Sequence, residues 1–137
     1  GTVDAIWVAE PFISANAKVL GARKVADTMS GPMADFPIAG WAVTEKFAQE
    51  NPNTVAAFQR ALGKAQQLAA TNRKVVEQAL PKYTKIDART AAVITLGEFP
   101  TSLNEARLQR VADVMTEFGY LPGKLDVKPL ILPPPAG

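Results

Sequence analysis

Three large apolar residues in succession, Ile6-Trp7-Val8, constrain this chain more than any other feature. In an extended segment neighbouring side chains point to opposite faces, so Val3-Asp4-Ala5-Ile6-Trp7-Val8-Ala9 carries apolar bulk on both sides. That pattern predicts a strand buried on both faces, as in parallel sheets covered by helices. A strand of this kind needs neighbours on both edges. No cap, loop or helix precedes it, and the segment reads as a start in mid-fold.

The residues that follow predict a short βαβ unit. Pro11 has a preset φ suited to a first helical turn, and Phe12, Ile13, Ala17, Val19 and Leu20 form an apolar helix that stops at Gly21. Arg23-Lys24-Val25-Ala26 then reads as a second strand. Between Asp27 and Pro37 the cluster Ser30-Gly31-Pro32 and a further proline break both periodicities, which marks a boundary. Beyond it Ile38-Ala39-Gly40-Trp41-Ala42-Val43 is extended, and Thr44 can cap a helix over Glu45 to Gln49.

The remainder is helical by pattern. Asn51-Pro52 opens a helix whose residues Val55, Phe58, Leu62, Ala65 and Ala69 share one face. Thr71 or Asn72 can cap a shorter helix ended by Pro81, and Asp87 another that runs to Gly97. Ser102-Leu103-Asn104-Glu105 has the spacing of a capping box, with Leu108, Val111, Ala112, Met115 and Phe118 following before Gly119. The longest helices are therefore expected at 52–70 and 103–118. Prolines dominate the tail after Gly123, whose last residues are expected to be disordered or extended against a partner. The expected fold class is α/β and helix-rich, but three strands are too few to cover so many apolar helical faces. The chain should therefore complete its sheet with another copy or with further α/β material.

Composition narrows the chemistry. With no cysteine and no histidine there is no disulfide, no thiol nucleophile, no imidazole base and none of the usual zinc or haem ligand sets. Neither a catalytic site, a metal nor a cofactor is expected. Fifteen basic residues against 13 acidic ones, scattered rather than striped, make nucleic acid a poor partner. No run approaches the ~20 apolar residues of a membrane span.

Several pieces in order now resemble a known family. Gly1-Thr2-Val3-Asp4-Ala5, then Val8-Ala9-Glu10-Pro11-Phe12, Leu20-Gly21-Ala22-Arg23, Trp41-Ala42-Val43, and Asn51-Pro52-Asn53-Thr54-Val55-Ala56-Ala57-Phe58 are similar to the C-terminal half of substrate-binding proteins of ABC importers. The branch resembled is that of the sulfonate, taurine and nitrate binders and the thiamine-pyrimidine proteins. The resemblance covers residues 1 to 128 and implies a partial two-lobed, type II periplasmic-binding-protein fold lacking its N-terminal half. It implies that residues 1–36 end the second lobe, 37–43 form a hinge crossover, 44–122 are the helical C-terminal part of the first lobe, and 123–137 form a proline-rich tail. It also implies a small-molecule ligand held between lobes, a membrane permease as partner, and a periplasmic or extracytoplasmic location, with a lipoprotein anchor as one form. A homodimer or the N-terminal half would supply the missing strands.

Glu10 stands where the first strand meets the Pro11 helix start, and ligands of open α/β sheets bind at the carboxyl ends of strands. The resemblance implies that this acidic residue faces the cleft and pairs with a ligand ammonium. An ordinary helix-end role competes with that reading, since first-turn carboxylates favour the helix dipole. Pro11, Phe12, Trp7 and Trp41 are the accompanying ligand-site candidates, with core or hinge packing as the alternative for the aromatic residues. Arg73, Lys74, Lys82 and Lys85 read as solvated charge. Two further readings are a thiamine-pyrimidine precursor protein, against whose synthetic form the lack of histidine argues, and a helical dimerisation module without a small ligand.

Overall fold

A computed structural model describes residues 2–135 of the chain. Gly1, which opens the first family-like motif, and the last two residues of the tail lie outside them. Helices are α1 (Phe12–Leu20), α2 (Glu45–Glu50), α3 (Pro52–Thr71), α4 (Arg73–Tyr83), α5 (Ala88–Ala91) and α6 (Glu105–Glu117), with single 3-10 turns at Gly31–Met33 and Lys128–Leu130.

Among the described residues there is no β-strand. This overturns the α/β class and with it the partial two-lobed periplasmic-binding-protein fold. The segments 3–9, 23–26 and 38–43 run outside any helix and enter no ladder. The physical reason is that a strand is defined by its neighbour: the apolar pattern records a demand for a paired edge, and the chain does not meet it. The expected burial of Ile6-Trp7-Val8 fails with the pairing, and Trp7 is 73% exposed.

Helices follow their local signals more closely. α1 ends where expected: Gly21 sits in the left-handed region at φ 66°, and its N–H donates to the Ala17 carbonyl. α2 begins with the Thr44 hydroxyl accepting from the Phe47 N–H at 3.1 Å. α3, with 20 residues, and α6, with 13, are the longest helices among the described residues. Three boundaries move. α6 is capped by Asn104, whose side chain accepts from the Arg107 N–H at 3.0 Å, so Ser102 is not the capping residue. An asparagine two residues nearer the helix offers an equally good acceptor. α4 passes through Pro81 to Tyr83, because a proline in the last turn forfeits only one ladder donor. α5 is only four residues long and stops well short of Gly97.

The described chain divides into two compact units. The first comprises Gly1–Asp27 and Gln67–Phe99, the second Thr28–Gln66 and Pro100–Gly137. In the first, Thr90, Ala91 and Ile94 are buried. In the second, Ala112 of α6 and Val127 are buried, and the Gln109 amide fastens one to the other. That amide donates to the Leu125 carbonyl at 2.8 Å and accepts from the Val127 N–H at 3.2 Å, as a neighbouring backbone would. Arg107 pairs with Asp35 at 2.7 Å and Arg110 donates to the Ala34 carbonyl at 2.9 Å, which ties the 34–35 turn to α6. The Pro133 carbonyl of the tail accepts from Gln59 at 3.0 Å.

Candidate functional site

The start of α1 leaves several amides without a helical partner, as every helix start does. Pro11 has no N–H to satisfy. Phe12 and Ile13 both donate to the Ala9 carbonyl, at 2.9 and 3.3 Å. Ser14 is served by Glu10, whose Oε2 accepts the Ser14 N–H at 3.0 Å while Oε1 accepts the Ser14 hydroxyl at 2.8 Å. Oε1 also accepts a longer bond, 3.4 Å, from the Thr95 N–H. Glu10 therefore closes the helix start and joins it to a segment 85 residues away.

The same four-residue spacing continues along one side of the helix. Lys18, four residues beyond Ser14, donates to Asp87 Oδ2 at 3.2 Å and to Thr90 Oγ1 at 3.1 Å. Positions i, i+4 and i+8 lie on one helical ridge, so Glu10, Ser14 and Lys18 present a polar edge to residues 87–95. Asp87 caps α5, its Oδ1 accepting the Thr90 N–H at 2.7 Å. That backbone bond, followed by the Lys18 and Thr90 side-chain bonds, holds the Asp87 carboxyl down at about 2 from an ordinary 3.8. Lys18, Asp87 and Arg89 line an open depression at this edge.

Behind α5, Arg73 performs a task that its sequence context does not announce. Its guanidinium donates to the carbonyls of Ala92, at 3.1 Å, and Ile94, at 2.7 Å, and its Nε pairs with Glu77 at 2.6 Å. Arg73 is exposed, as a solvated charge would be, and these bonds tie it down in addition. An arginine one position inside a helix with a glutamate four residues on is a common surface pair, and no local signal distinguishes this one.

Of the five candidate residues, Glu10, Pro11 and Phe12 stand together at the start of α1 in the first unit. Phe12 is 62% exposed. Trp7 lies three residues earlier on the extended segment. Trp41 belongs to the second unit, where it meets Phe58 edge-on with ring centroids 5.4 Å apart. Ser14, Thr95, Lys18 and Arg73 are the residues that sequence reasoning missed. Ser14 carries a readable signal, four positions after a carboxylate, whereas Thr95 has none because its partner is remote in the chain. Among the described residues no group of three or more carboxylates is placed to hold a metal, and no helix is long and apolar enough to cross a membrane.

Comparison with protein-family models, with curated proteins and with solved structures finds no match.

Proposed function

We propose that the chain belongs to the solute-binding component of an ABC importer and takes part in holding a small zwitterion of the taurine or sulfonate kind for delivery to a membrane permease. The order of its motifs supports this reading, from Val8-Ala9-Glu10-Pro11-Phe12 through Asn51-Pro52-Asn53-Thr54-Val55. The single observation that carries it is the state of the Glu10 carboxylate. A carboxylate offers about four acceptor sites, and the Ser14 N–H, the Ser14 hydroxyl and the Thr95 N–H take three of them. The group is fixed in direction yet retains acceptor capacity on Oε2, which suits a ligand ammonium. An exposed Phe12 ring two residues away adds a surface on which a cation is favourable. The ligand's anionic end would take its donors from other material, and localisation on this reading is extracytoplasmic.

The test is calorimetric titration of the full protein with taurine, for wild type and for Glu10→Gln. Loss of a charge-assisted hydrogen bond should weaken binding by about 1.5–3 kcal/mol, with shape retained. Equal affinities, or no binding of taurine or related zwitterions to wild type, would reject the reading.

A further inference from the structure

In the second unit the run Pro133-Pro134-Pro135 meets the side chain of a helix. Gln59 of α3 donates from Nε2 to the Pro133 carbonyl at 3.0 Å, across 74 positions of chain. Phe58, the preceding residue of α3, meets Trp41 edge-on with ring centroids 5.4 Å apart. Both aromatic residues are open to solvent, Trp41 at 74% and Phe58 at 46%, whereas Gln59 is half-buried. Consecutive positions of α3 therefore hold one member of an exposed ring pair and a side-chain amide, and the proline run is tied to the amide.

Proline chemistry gives that combination a use. Each proline fixes its own φ and turns the residue before it toward extended or polyproline II backbone, so Leu132 to Pro135 carry a preset conformation. Polyproline II has no internal hydrogen bonds, and its carbonyls depend on outside donors. A surface that recognises such a segment presents aromatic rings to the pyrrolidine rings, and the segment loses little conformational freedom on binding. Trp41 and Phe58 are rings of that kind, Gln59 is a donor already engaged with a proline carbonyl, and the Trp41 indole carries a further N–H. A hydrocarbon surface would use the rings but give the Gln59 amide no acceptor. The three prolines engage the amide and leave Trp41 largely uncovered, so the face has room for a longer segment of the same chemistry.

We propose that Trp41, Phe58 and Gln59 form a binding face for polyproline II segments, which the chain's own Pro133-Pro134-Pro135 run engages in cis and a proline-rich partner polypeptide takes in trans. The inference is independent of any solute held at Glu10. Calorimetric titration of the 137-residue chain with a synthetic polyproline peptide of about ten residues should show saturable binding, and a glycine-serine peptide of equal length should show none. Pro133→Ala, Pro134→Ala and Pro135→Ala together remove the cis competitor and should tighten binding about twofold to tenfold. In that background Trp41→Ala should weaken it roughly tenfold or more, and Gln59→Ala about threefold to tenfold. Trp41→Phe, which keeps a ring, should recover part of the loss, and the helical circular dichroism should stay unchanged because Trp41 lies outside every helix. Absence of polyproline binding in both backgrounds, equal binding of the glycine-serine peptide, no gain from the three alanine substitutions, or unchanged affinity after Trp41→Ala would each overturn the proposal. So would a chain that ignores the peptide and shows by light scattering twice 14.6 kDa, a mass halved by Trp41→Ala, which would assign the face to a second copy.

Discussion

Residues 87–95 and residues 2–9 belong to the same unit, and their surroundings differ completely. The first segment mixes Asp87, Arg89 and two threonines with its alanines, Val93 and Ile94. It is nonetheless the one that holds buried residues, Thr90, Ala91 and Ile94. The second, apolar but for Thr2 and Asp4, holds no buried residue. Hydrophobic burial is non-directional and gives no register of its own. Around residues 87–95 the register comes from directional groups: Asp87 at the front of α5, Lys18 and Glu10 from α1, and Arg73 from behind. Residues 2–9 have the apolar content for burial but none of these four anchors. Polar anchors here decide where the small apolar core is placed.

The comparison can be broken most directly at its two isoleucines. Ile94 is 3% exposed, and Ile94→Ala should cost about 2–5 kcal/mol by urea unfolding. Ile6→Ala, on the open segment, should change the stability of the dilute chain by less than about 0.5 kcal/mol. Similar losses at both positions would mean that the open segment is buried in solution.

A smaller effect sharpens the role of the anchors. Arg73→Ala removes donors to two carbonyls, and the half-exposed site should lose about 1–2 kcal/mol. Arg73→Lys should recover only part of it, because an ammonium cannot span two acceptors as a planar fork does. Accelerated amide exchange at residues 88–94, with α6 unaffected, would locate the loss.

The smallest effect is expected at Asp87 and is read through pH. Its folded carboxyl titrates at about 2, below the ordinary 3.8, so its contribution is complete above 3.8, declines as pH falls below that value, and is lost as pH passes through about 2. Exchange of the α5 amides should quicken over that window. Asp87→Asn, which keeps the cap acceptor without the charge, should flatten the dependence.

The unevenness of what could be read from the sequence has the same origin. α1, α2, α3 and α6 rest on signals within a turn or two of their ends, such as Gly21, Thr44 and Pro52, and these are legible one residue at a time. α5 is shorter than its pattern, and Arg73 takes up the carbonyls of Ala92 and Ile94 just past its end, a contact remote in sequence that no local signal announces. The expected strands at 3–9, 23–26 and 38–43 fail for the opposite reason: their signals are local, but the ladder that would realise them is not. At the candidate site, the i to i+4 relation of Glu10 to Ser14 is readable, while the bond to Thr95 depends on tertiary placement.

The brevity of α5 bears on the order in which the first unit assembles. Four residues cannot nucleate a helix alone, since fixing the first turn costs more than its bonds return. Its two supports come from very different distances along the chain. Arg73 reaches back across 19 and 21 residues, whereas Lys18 lies 69 residues from Asp87. Closing the longer loop costs about 1 kcal/mol more in chain entropy. The hairpin from α4 to α5 is therefore the cheaper contact to make first, with Arg73 as its clasp. On that ordering α1 would dock through Lys18 and Glu10 onto a surface completed by the hairpin.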